Sequence, residues 1–76
     1  ACNGHGVAMG CFMLLSCDVR IGTAGAFKIG ANETQINMVL PIFASELVKA
    51  RVADDYKTRS MVFGELFDPD TALKAG

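Results

Sequence analysis

Apolar residues occupy nearly every position from Ala8 to Cys17, the pattern of a helix buried on all sides. Asp18-Val19-Arg20-Ile21-Gly22-Thr23 then alternates polar and apolar with the period of a strand. Ala24-Gly25 reads as a turn and Phe27-Lys28-Ile29 as a second short strand, while Asn32-Glu33-Thr34 falls in a connecting loop. Pro41 is suited to the first position of a helix running to about Val52, with Ile42, Leu47 and Val48 supplying its apolar residues. Asp54 or Asp55 can cap a further helix through Met61 and Phe63. Asp68-Pro69 opens a last short helix that ends at Ala75-Gly76. Ala1 to Asn3 reads as the tail of a strand entering the turn Gly4-His5-Gly6. Short strands among helices make the chain mixed α/β.

Composition changes this picture in one respect. The chain has 76 residues, of which 51% are hydrophobic and 20% charged, and none is Trp. An independent domain of this size buries only about 60% of its unfolded surface, so it needs a polar exterior or added cross-links. The high apolar fraction, the start at Ala1 without Met and the end at Gly76 predict a piece of a larger fold. A net charge of −1 supplies no basic field for nucleic acid. Cys2, Cys11 and Cys17 are odd in number and lack metal-ligand spacing, so they read as reduced, small hydrophobes in a cytoplasmic protein. The longest apolar run, Val7 to Leu15, is too short to span a bilayer.

Chemistry enters at the glycine-rich turn. Gly4, Gly6 and Gly10 surround the entry to the apolar helix and let backbone approach a ligand. The first N–H groups of a helix have no partner within it and favour negative charge, whether phosphate or a developing oxyanion. Tight packing alone would also explain such a turn. Phosphate is disfavoured: there is no GxxxxGK[ST], and the dinucleotide spacing lacks its third glycine and its acidic residue.

The stretch Asn3 to Asp18, NGHGVAMGCFMLLSCD, resembles the pattern NGxaxGGGxxlaxxCD of the crotonase (enoyl-CoA hydratase/isomerase) superfamily. DVRIG and FKIGANET continue that resemblance in register, and Phe67 to Gly76 resembles the helix that precedes the family's closing strand. The resemblance implies a crotonase-like ββα spiral fold of the α/β class. Residues 1–76 would be a partial core domain, with N- and C-terminal parts of the fold outside them. It also implies action on acyl-CoA thioesters, with coenzyme A as part of the substrate and no separate cofactor or metal. Partners would be the small-molecule substrate and further copies of the full-length protein, as a homotrimer or hexamer, with no nucleic acid and no membrane.

In the family, two backbone N–H groups form an oxyanion hole. The resemblance assigns one to Met9, flanked by Ala8 and Gly10; the other would come from an upstream loop outside the chain, so the isolated segment is expected to be inactive. Met9 departs from the usual glycine but keeps the backbone donor. Glu33 matches the second catalytic carboxylate, a general acid/base. Phe12 stands where hydratases of the family carry a glutamate, and it cannot hold or deprotonate water. One base suffices to move a proton from the α to the γ carbon, so Phe12 with Glu33 favours 3-enoyl to 2-enoyl-CoA isomerisation over hydration. A binding or assembly protein without catalysis is the alternative from another class. His5 is expected to line the substrate or serve structure, and Asp18 and Arg20 to fix the end of the buried helix. Lys49, Arg51, Lys57 and Arg59 form a loose basic group, read as a solvated face or an oligomer contact.

Overall fold

A computed structural model describes residues 1–36 and 38–76. The elements run β1 (Gly6–Val7), α1 (Met9–Leu15), β2 (Ile29–Gly30), α2 (Ile42–Arg51), α3 (Asp54–Met61) and α4 (Pro69–Ala75). β1 and β2 pair in parallel, Gly6 opposite Ile29 and Val7 opposite Gly30. Ile29 also exchanges both backbone hydrogen bonds with Phe67, at 2.8 and 2.7 Å, which adds an antiparallel bridge on the other side.

The stretch 18–23 differs from the expected strand. It makes one bridge, Cys2 with Gly22, through bonds of 2.7 Å to the Ile21 carbonyl and 2.9 Å from the Thr23 N–H. Val19 and Ile21 remain exposed, so the alternating pattern has no apolar layer to face. Arg20 does secure the end of α1: its Nη1 donates to the Cys17 carbonyl at 2.6 Å and its Nε to that of Gly76 at 3.0 Å.

The helices begin close to their sequence signals. Pro41 and Ala53 are the residues just before α2 and α3, so Asp54 and Asp55 lie in the first turn of α3 rather than capping it. There they face the positive end of the helix dipole. α3 ends at Met61 and leaves Phe63 beyond it. Asp68 caps α4: its Oδ1 accepts the Thr71 N–H at 2.8 Å, and that bond holds its carboxyl below the usual carboxylate range.

The core lies between α1 and α2. Cys11 and Leu15 pack with Val48, and Phe12 packs with Ala31 and Ala44. Ala44 is fully buried, and its small side chain leaves room for Phe12 above it. Of the apolar residues named for α2, Val48 is buried while Ile42 is 84% exposed. α1 is not buried all round within this chain either, because Met9 and Met13 face outward. The four basic residues do not form one cluster. Each has its own acid: Lys49 with Glu46, Arg51 with Asp18, Lys57 with Asp54 and Arg59 with Glu65.

Candidate active site at the strand ends

Two connections leave the same end of the parallel pair. After Val7 the chain turns through Ala8 into α1, and after Gly30, its partner in register, it passes Ala31 and Asn32 to reach Glu33. Ligands of parallel sheets gather beyond the carboxyl ends of strands, where such connections diverge. Met9 and Glu33 therefore come from neighbouring strands although they are far apart in sequence.

The Ala8 turn is held on both sides. Its N–H donates to the Gly30 carbonyl at 3.0 Å, and its own carbonyl accepts the Phe12 N–H at 3.1 Å, the first bond of the helix ladder. Ala8 has φ 56° and ψ −122°, the one non-glycine with positive φ among the described residues. Such a conformation costs about 1–3 kcal/mol and persists where surrounding bonds over-determine it. The N–H of Met9, first residue of α1, precedes the ladder and has no acceptor within the helix.

Glu33 sits in a turn whose backbone is tied at three points. The Asn32 carbonyl accepts the N–H groups of Gln35 at 3.0 Å and Ile36 at 3.2 Å, and the Glu33 carbonyl accepts that of Met38 at 2.7 Å. The carboxyl is buried, 5% exposed, and its Oε2 has no hydrogen-bond partner among the described residues. An orphaned buried oxygen costs about 1–3 kcal/mol, a cost expected where a group is kept for chemistry. Burial pushes the nearby Cys11 thiol up to about 11, with Glu33 adding to the rise. Cys11 thus stays protonated at neutral pH and is no nucleophile.

Phe12 is 4% exposed and stands edge-on to Phe43 at 6.0 Å, in the core cluster with Ala31 and Ala44. His5 is exposed; its Nδ1 accepts the Lys28 N–H at 3.0 Å, so a neutral ring carries its proton on Nε2. His5 and Gly10 line a shallow groove with Asn3, Gly4 and Met13, and Glu33 is not part of it. A larger apolar cavity of about 420 Å³ lies between α1, β2, α2 and α4 and includes neither Met9 nor Glu33. Among the described residues no three His, Cys, Asp or Glu side chains gather to hold a metal ion, and no helix is long and apolar enough to cross a membrane.

Sequence reasoning missed the residues that brace the Glu33 turn. Thr34 Oγ1 donates to the Met61 carbonyl at 3.1 Å and Gln35 Nε2 to that of Phe63 at 3.2 Å. Neither contact has a local pattern, since the partners are 27 and 28 residues apart.

No family model matches the chain. The mitochondrial enoyl-CoA delta isomerase 1 of Rattus norvegicus is 35% identical over 77 residues, covering 100% of this chain and 27% of that protein. A solved enoyl-CoA hydratase/isomerase family protein from Pseudomonas syringae is 48% identical over 96% of this chain and 32% of its own, with a TM-score of 0.93. The chain belongs to the crotonase superfamily. It spans about a quarter of the length of the curated crotonase relatives that it matches and about a third of the solved one. A crotonase-fold protein of Mycobacterium tuberculosis, 38% identical with a TM-score of 0.88, has been solved under the name of an enoyl-CoA isomerase and under that of an enoyl-CoA hydratase. Names within this group therefore do not separate the two reactions. The chemistry of the side chains has to.

Proposed function

We propose that the full chain isomerises 3-enoyl-CoA to 2-enoyl-CoA, with Glu33 as the single proton carrier. The observation that carries this reading is the buried Glu33 carboxyl, with an oxygen unpartnered among the described residues, set beyond the same strand ends as the Ala8–Met9 turn. In the proposed step Glu33 takes the proton from C2 of the thioester, and the electron pair spreads through the C3–C4 double bond onto the thioester oxygen. In this reading the Met9 N–H donates to that oxygen, together with a second donor from a loop outside these residues. Glu33 then returns the proton to C4 as the double bond settles between C2 and C3. Atoms and charge balance with no other reactant, and coenzyme A serves as handle rather than cofactor.

Ala8 and Gly10 shape the turn in this reading, and Phe12 backs the site with an apolar face. Hydration of 2-enoyl-CoA would need a second carboxylate to activate water, and apolar Phe12 cannot supply one. The site calls for a full-length protein, for which a trimer or paired trimers in the cytoplasm is the assembly and compartment we propose. The curated relatives are named as mitochondrial, so fractionation of cells that express the full chain decides the compartment.

Offering each substrate to the full chain tests the choice of reaction. Isomerisation of 3-enoyl-CoA is expected to exceed hydration of 2-enoyl-CoA by at least about a hundredfold, the contribution of one positioned acid–base group. Hydration at a comparable rate would favour the hydratase. Failure to bind any acyl-CoA would favour a binding or assembly role.

A further inference from the structure

The segment from Arg59 to Phe67 touches the Glu33 connection on both sides. Upstream of Glu33, Phe67 pairs with Ile29 through two backbone bonds. The adjoining Glu65 carbonyl lies against Gly30, where an added Cβ would sit 2.8 Å from that oxygen. Gly30 also has φ 150°, so a side chain there would meet both strain and backbone. Downstream of Glu33, the Thr34 hydroxyl and the Gln35 amide donate to the carbonyls of Met61 and Phe63. These carbonyls lie at and just past the end of α3, where a helix leaves acceptors unused. Gly64, with φ 61°, lets the chain turn close to Thr34 and Gln35; a Cβ added there would lie 3.4 Å from atoms of both.

Arg59 keeps this segment folded on itself. Its guanidinium makes two parallel bonds to the Glu65 carboxylate at 2.8 and 2.7 Å, and its carbonyl accepts the Glu65 N–H at 3.0 Å. The same guanidinium lies over the rings of Tyr56 and Phe67, 4.9 and 5.3 Å from their centres. One residue thus joins α3, the Gly64 turn and the strand-like segment that flanks β2.

We propose that residues 59–67 form a clamp that holds the Glu33 carboxyl in place, with Thr34, Gln35 and Arg59 as positioning residues. The proposal rests on Glu33 being the proton carrier. None of the three touches substrate; they act by limiting how far the Glu33 turn can move. A carboxyl that must serve two carbon atoms in turn is sensitive to such movement, because small displacements of a reacting group slow proton transfer.

The test compares the full chain with Thr34→Val/Gln35→Met, Arg59→Met and Thr34→Ser, following 3-enoyl-CoA turnover and amide hydrogen exchange over residues 33–36. In the double variant and in Arg59→Met, kcat is expected to fall about tenfold with KM within about twofold, while exchange in the turn rises about tenfold. Thr34→Ser keeps the hydroxyl and should keep both wild-type rates. Turnover and exchange unchanged in both the double variant and Arg59→Met would overturn the clamp, as would a rise in KM alone. If the double variant does not fold, Arg59→Met decides by the same criteria. Absence of isomerase turnover in the wild type would remove the isomerase reading only, and the exchange rates would still decide whether the clamp holds the turn.

Discussion

Glu33→Gln in the full chain is expected to lower turnover of 3-enoyl-CoA by about 10²–10⁴-fold, the range for removing a positioned acid–base group. Glutamine has nearly the volume of glutamate and fits the same buried site, but its amide neither takes nor returns a proton. The fold should survive. Glu33 Oε2 has no hydrogen-bond partner among the described residues to lose, so the thermal midpoint of the full-length protein is expected to move by less than about 4 °C, the upper figure for ~1 kcal/mol in a domain of 150–250 residues. Steady-state kinetics beside a thermal melt separates the two effects. Turnover within about tenfold of wild type would count against Glu33 as the proton carrier.

The second large effect is structural. Phe12→Ala removes a ring that is 4% exposed and packed against Phe43, Ala31 and Ala44. Deleting a buried aromatic side chain costs about 3–5 kcal/mol, because the cavity collapses only in part. In the full-length protein the variant should therefore lower the thermal midpoint by at least about 6 °C, at about 2 °C or more per kcal/mol in a domain of 150–250 residues. Phe12→Leu, which keeps most of the apolar contact, should cost less than half as much. A loss below about 1 kcal/mol for the alanine variant would show that Phe12 is not the core residue its burial indicates. The same burial bears on the proposed function: Phe12 lies in the α1–α2 core, so a carboxylate in its place would have to be buried there.

Much of this was legible in the sequence where the signal is local. Pro41, the Asp54-Asp55 pair and Asp68-Pro69 each act within one helical turn, and the helices begin within a residue of them. The resemblance to crotonase patterns singled out the Ala8 turn and the Glu33 loop, and the strand register puts both connections at the same end of the parallel pair. What failed was tertiary. Val19 and Ile21 alternate as in a strand, but alternation describes a strand only where an apolar layer covers one face, and these side chains are exposed. Ile42 looks like a core position by type, yet the close contact with Phe12 selects the smaller Ala44. The four basic residues resemble one group only while their acids are left out; the spacing of Glu46 with Lys49 and of Asp54 with Lys57 was there to read. The braces from Thr34 and Gln35 to the end of α3 had no such spacing.

The most direct test of a single proton carrier uses 3-enoyl-CoA deuterated at C2, with the 2-enoyl-CoA product examined by NMR. A carboxyl that is buried and serves both carbons returns part of the label it removes, so deuterium is expected at C4 of the product. Product that carries only solvent hydrogen at C4, with every label lost to water, would contradict proton shuttling by Glu33.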